Sequence, residues 1–127
     1  MEPSVEPRGS SVPDDLPSDV VRAAESALDR KADEVVALDL RGISSATDYF
    51  VLATGNSDIQ VRAIAEHVME ELAKQGVRPL HVEGLDRARW VLMDFVDFVV
   101  HILHPVAREF YQLELLWGDA PSKAFAP

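Results

Sequence analysis

The chain has 127 residues, enough for one domain with a single core. Acids outnumber bases 22 to 12, and a formal net charge of −10 argues against electrostatic binding to bare nucleic acid or anionic membrane. Cysteine is absent, which excludes disulfides, thiolate zinc sites, iron–sulfur clusters and cysteine nucleophiles, and no apolar run reaches the roughly 18 residues of a spanning helix.

Residues 1–17 hold four of the eight prolines and a charge of −3. They read as a disordered acidic tail, without the basic start and apolar core of a signal peptide or the Arg-rich, acid-poor composition of a transit peptide. A single folded domain is expected over 18–118 and a second tail over 119–127. Removing residues 1–17 is expected to leave function unchanged.

Within the domain the hydrophobic period switches repeatedly. Residues 18–32 predict a helix, with Ser18 placed as an N-cap and Val20, Ala24, Leu28 and Ala32 at four-residue spacing. EVVALDL (34–40) and DYFVLAT (48–54) predict strands. A helix over 57–75 follows: Ser57 and Gln60 have capping-box spacing, and Val61, Ile64, Ala65, Val68 and Leu72 form one apolar stripe. Glu70 and Lys74 form a favourable i,i+4 pair, and Gly76 ends the helix. Three short strands follow at Val77–Val82, Arg89–Asp94 and Asp97–Leu103, the last two joined as an antiparallel hairpin. The near-continuous apolar run of the third suggests cover on both faces. Pro105 opens a final helix on which Val106, Phe110, Leu113 and Trp117 recur, with Tyr111 and Leu115 as a displaced apolar pair. The order α-β-β-α-β-β-β-α implies an α/β (α+β) fold, a mixed five-stranded sheet packed with helices.

Several segments in this order resemble the Iojap / ribosomal silencing factor (RsfS) family: ALDLRGISSATDYFVLATGNSD, VRAIAEHV, HVEG at 81–84, RWVLMDF, DFVVHILHP and REFYQLELLWGDAP. The resemblance runs from about Val35 to Pro121. It implies a nucleotidyltransferase-like fold without that chemistry and a cytoplasmic, often homodimeric protein. It also implies docking on the large ribosomal subunit, through its ribosomal protein number fourteen, so that subunit joining is blocked and translation repressed. One position departs from the family pattern. Between Asp94 and Asp97 the family commonly has Gly where this chain has Val96, and because a β-branched residue disfavours positive φ, a different turn type is expected.

The residues themselves favour a binding protein. An acidic chain suits a basic ribosomal protein better than rRNA phosphates. On the strand 89–94, Trp90, Leu92 and Asp94 share one face and Val91, Met93 and Phe95 the other. The second set is purely apolar and suits a core; the first joins a large aromatic to a carboxylate and suits either a binding face or a core tryptophan at a sheet edge, and the resemblance favours the binding face. Asp97, Val99 and His101 would extend that face, and Tyr49 with Val51 would add to it. The expected partner-binding residues are therefore Trp90, Leu92, Asp94, Asp97, His101 and Tyr49.

Two alternatives stand beside this reading. A nucleotidyltransferase would use Gly55-Asn56-Ser57-Asp58 at a strand-to-helix turn to hold phosphate, but no Asp-x-Asp or Asp-x-Glu pair lies on a predicted strand to hold magnesium. A homodimeric adaptor would bind some other protein. His67, His81, His101 and His104 show no metal-ligand spacing, so no catalytic residue, metal or cofactor is expected.

Overall fold

The computed structural model describes residues 15–111 and 118–127, without the side chains of 110 and 111. In chain order the elements are α1 (Ser18–Asp29), β1 (Asp33–Asp39), β2 (Tyr49–Thr54), α2 (Asp58–Ala73), β3 (His81–Glu83), β4 (Trp90–Asp94), β5 (Phe98–Leu103), α3 (Pro105–Tyr111) and β6 (Ser122–Phe125). The strands form one mixed sheet in the order β3-β4-β5-β2-β1-β6. Among the described residues only β2 and β5 run parallel; every other neighbouring pair, including the expected β4–β5 hairpin, is antiparallel.

The sheet has six strands rather than five. Residues 122–125, expected within a tail, pair with β1 from Val35↔Phe125 to Leu38↔Ser122, and the Asp39 N–H donates to the Pro121 carbonyl. The four residues SKAF alternate too weakly to announce a strand, and it is the open edge of β1 that recruits them. Of the expected first tail, residues 1–14 lie outside the described residues, while 15–17 join the fold. Leu16 packs on the core, Pro17 rather than Ser18 stands at the N-cap of α1, and Asp15 lies 3.5 Å from the Arg41 guanidinium.

Both faces of the sheet carry apolar side chains, but they are covered differently. Against one face lie α1 and α2, and Val20, Ala24, Val61, Ile64 and Val68 meet Val51, Val91, Met93, Val100 and Ile102 with no exposed surface. The other face gathers a smaller cluster of Leu38, Leu40, Phe50, Leu52, Leu103 and Ala120, with Trp90, Val99 and Ala107 half-buried at its margin. Strand β2 has neighbours on both edges and cover on both faces, so all six of its residues are buried.

Helix ends follow local chemistry. The Ser57 Oγ accepts from the Gln60 N–H at 3.1 Å, and the Gln60 Oε1 accepts from the Asn56 N–H at 2.7 Å. This is a capping box shifted by one residue on its return bond. Gly76, at φ +77°, ends α2 through bonds from its own N–H to the Ala73 carbonyl and from the Val77 N–H to the Leu72 carbonyl. Helix α1 ends the same way on Lys31 at φ +63°, so it stops before Ala32. The expected Glu70–Lys74 pair gives way to a 2.6 Å contact between Lys74 and Glu71. Strand β3 starts at His81 rather than Val77, because Pro79 has no N–H to give a neighbouring strand. On the final helix Val106 is exposed, which removes it from the expected stripe. The side chains of Phe110 and Tyr111, and Leu113, Leu115 and Trp117 altogether, lie outside the described residues.

Two backbone positions shape the β3–β5 end. Gly84 has φ +87°, and a Cβ there would overlap the Trp90 carbonyl oxygen. Arg62 from α2 donates to the Leu85 and Asp86 carbonyls and holds this turn in place. Val96 has φ +77° despite its β-branch, and the Asp97 N–H donates to the Phe95 carbonyl at 3.0 Å. The result is a positive-φ γ-turn, a strained conformation. Positive φ is therefore present at Val96, against the expectation from its side chain. Its surroundings impose it: the Asp94 Oδ1 accepts the Val96 N–H at 2.8 Å, and the Thr47 hydroxyl donates to the Val96 carbonyl at 3.1 Å.

Opposite outcomes are expected at the two sites in denaturant unfolding. Gly84→Ala should lower stability by about 3 kcal/mol or more, through overlap and strain together. Val96→Gly should raise it by about 1 kcal/mol by relieving the turn.

Candidate partner-binding face

Trp90, Leu92 and Asp94 project from β4 onto the sheet face opposite α1 and α2, and all three are half-buried while Val91 and Met93 between them are fully buried. The register sets His101 of β5 beside Leu92, and Val99 beside Asp94. Phe50 reaches the same region from β2, its ring edge-on to the His101 imidazole with centroids 4.4 Å apart.

His101 holds the middle of this arrangement and is only 3% exposed. Its Nδ1 accepts the Trp90 Nε1–H at 3.0 Å. Burial pushes its pKa down to about 4, so the ring is neutral at physiological pH. An indole N–H can only donate, so Nδ1 must be the unprotonated nitrogen and Nε2 carries the proton. His101, expected among the partner-binding residues, is thus buried rather than exposed on this face. It sits behind Trp90 and fixes how the indole is presented.

A depression of about 270 Å³ opens beside this pair, with Thr47, Phe50, Leu92, Asp94, Val99 and His101 among its lining residues. A second, of about 210 Å³, lies on the other side of Leu92, between Trp90, Gly84 and Glu83. Asp97 is exposed in the turn that joins β4 to β5, where its carbonyl accepts the Asp48 N–H.

Tyr49 does not join this face. It is buried in the cluster beneath the helices, with Val51, and the Arg41 guanidinium lies 5.3 Å from its ring centre. Arg41 in turn grips Asp39 through two side-chain bonds of 3.0 and 2.7 Å, which hold the Asp39 carboxyl below its usual pKa. Phe50 and Leu52, not Tyr49, are β2 residues on the Trp90 side. Every residue of β2 is buried, so its sequence carries no alternation to show which face is which.

The residues weighed for other chemistry have local tasks. Ser57 caps α2, and Asn56 donates to Asp33 at 2.8 Å. His67 meets Asp29 at 3.2 Å, His81 meets Glu83 at 2.6 Å, and the His104 Nδ1 accepts from the Val106 N–H at the start of α3. Among the described residues no three His, Asp or Glu side chains group as a metal site would. No helix among them is long and apolar enough to cross a membrane.

The buried imidazole has a thermodynamic signature. The unfolded chain takes a proton at His101 near the ordinary value of about 6.5, and the folded one only near 4. The stabilisation is complete above pH 6.5 and is lost as pH falls toward 4, by roughly 3 kcal/mol for this group. Urea titrations at pH 7, 6, 5 and 4 should show that fall in the wild type and a shallower one in His101→Gln.

A family model described as "Ribosomal silencing factor during starvation" (RsfS) matches residues 13–126. A Bacillus subtilis protein named ribosomal silencing factor RsfS is 48% identical over 99 residues, 78% of this chain and 84% of that protein. A chloroplastic Iojap protein of Arabidopsis thaliana is 33% identical over 100 residues, 79% of this chain and 42% of that longer protein. A crystal structure of a Bacillus halodurans protein superposes with a TM-score of 0.73 at 40% identity, covering 84% of this chain and 96% of that one. Another, from Chromobacterium violaceum, gives 0.77 at 33% identity, covering 86% and 91%. By the family match across most of its length, and by relatives at this identity, the chain belongs to the RsfS/Iojap family of ribosomal silencing factors.

Proposed function

We propose that this protein binds the large ribosomal subunit through its basic ribosomal protein number fourteen, sterically blocks subunit joining and so represses translation in the cytoplasm. The observation that carries this reading is the half-buried row of Trp90, Leu92 and Asp94, set on the sheet face away from α1 and α2 in a chain whose relatives are named ribosomal silencing factors. Trp90 and Leu92 provide the apolar anchor, in the residue types and the partly desolvated setting where interface energy concentrates. Asp94 and Asp97 lie toward the turn and offer carboxylates to basic groups of the partner. A net charge of −10 speeds encounter with a basic protein and disfavours direct seating on rRNA. The action is one of surface and bulk and needs no catalytic step. Self-association into a homodimer is part of the same proposal.

Cosedimentation with purified large subunits tests it. Trp90→Ala should weaken binding by about 2 kcal/mol or more, roughly thirtyfold, while circular dichroism shows the fold retained. Wild-type affinity in the folded variant removes Trp90 from the interface. Calorimetry with ATP and magnesium should show no stoichiometric binding; a clear isotherm would instead favour nucleotidyl transfer. A protein that stays in the supernatant with large subunits is an adaptor for some other partner.

A further inference from the structure

The depression beside His101 contains a polar group that the fold itself leaves unused. The Trp90 indole occupies Nδ1, and Nε2 is buried with no hydrogen-bond partner among the described residues. His101 is among the residues that line the depression, and Trp90, which occupies its Nδ1, is not. A buried donor without an acceptor is costly, and any complex that pairs it regains that cost. At about 270 Å³ the depression is smaller than the roughly 300–1,000 Å³ of sites for drug-sized ligands, and it suits a single side chain.

We propose that this depression receives one uncharged, hydrogen-bond-accepting side chain of the docked protein, a hydroxyl or a carboxamide, which takes the His101 Nε2–H. The proposal rests on the ribosomal docking argued above and adds the chemistry that the centre of the face selects. Charge sets the choice. A lysine or arginine head pushed to the floor would face an N–H dipole of the wrong sign. A carboxylate would meet Asp94 on the same wall. A hydroxyl or carboxamide avoids both. It can also donate to Asp94, whose Oδ1 already takes the Val96 N–H and whose Oδ2 has accepting capacity. Phe50, Leu92 and Val99 wall the carbon part of such a side chain, with half-buried Leu92 and Val99 giving way as it enters. The partner's basic groups stay outside, over exposed Asp97.

The test is a double-mutant cycle read by affinity for purified large subunits. In His101→Gln the carboxamide can accept from the indole and donate into the depression; in His101→Met it can do neither. His101→Gln should stay within about threefold of wild type and His101→Met should fall about tenfold or more. In a Trp90→Phe background, which removes the indole donor, His101→Met should still cost about fivefold. If it adds nothing there, His101 acts only by positioning Trp90 and the proposal is overturned. Wild-type binding with an unchanged His101→Met overturns this proposal alone; wild-type protein that does not bind overturns the docking reading with it. A measurement on the unmutated protein guards against a variant that fails to fold. With ¹⁵N-histidine label, the Nε2–H of His101 should become protected and move downfield on adding the isolated basic ribosomal protein. An unmoved signal in the saturated complex counts against the proposal.

Discussion

The hydrogen bond from the Trp90 indole to the His101 imidazole organises the face on which the functional reading depends. It joins neighbouring strands from side chain to side chain, alongside the backbone ladder that pairs Trp90 with Leu103 and Leu92 with His101. It also needs a neutral ring, and burial supplies that state by penalising the charged form. A tryptophan held at one nitrogen loses less freedom on docking than a free one, and preorganisation of this kind raises affinity without adding contacts. The aromatic surface is thus prepared by a residue that is itself almost entirely inside.

The same economy operates at the other end of this face. The register of β1 against β2 shifts by one residue between Asp33 and Val36, a bulge in which Glu34 takes φ +50°. The Arg108 guanidinium, buried and projecting from α3, donates to the Glu34 carbonyl at 2.8 Å and to the Thr54 hydroxyl at 2.9 Å. One side chain from late in the chain thereby satisfies backbone and hydroxyl acceptors at an irregularity near its beginning. This fastens α3 over the β1–β2 end of the second face, while the Trp90 end is left to form its depressions.

Much of this architecture was legible in the residues, for physical reasons that also mark where legibility ends. Helix α2 could be read to within two residues because its cap, its stripe and Gly76 all act locally. The face shared by Trp90, Leu92 and Asp94 followed from strict alternation on a strand with one closed and one more open side. Strand β2 offered no such contrast, so Tyr49 was placed on the face that Phe50 occupies. Lys31 gave no sign that it would end α1, because a left-handed lysine is set by the bonds around it rather than by its own preference. Val96 makes the same point more sharply: its side chain argues against the turn that the Asp94 carboxylate and the Thr47 hydroxyl impose. His101 could be placed on the correct face from spacing, but its burial and its bond to Trp90 arise across the hairpin and could not be read along one strand.

The pairing of β6 with β1 brings together Val35 and Phe125, residues about 90 positions apart in the chain. Closing so long a loop is entropically slow, and contacts of such separation form late in folding. Until they form, β1 presents an unpaired backbone edge, the kind of template on which chains pair wrongly. The four short residues of β6 therefore act as a latch on the finished sheet: they add little core of their own, yet they shield the one edge of β1 that its hairpin with β2 leaves open.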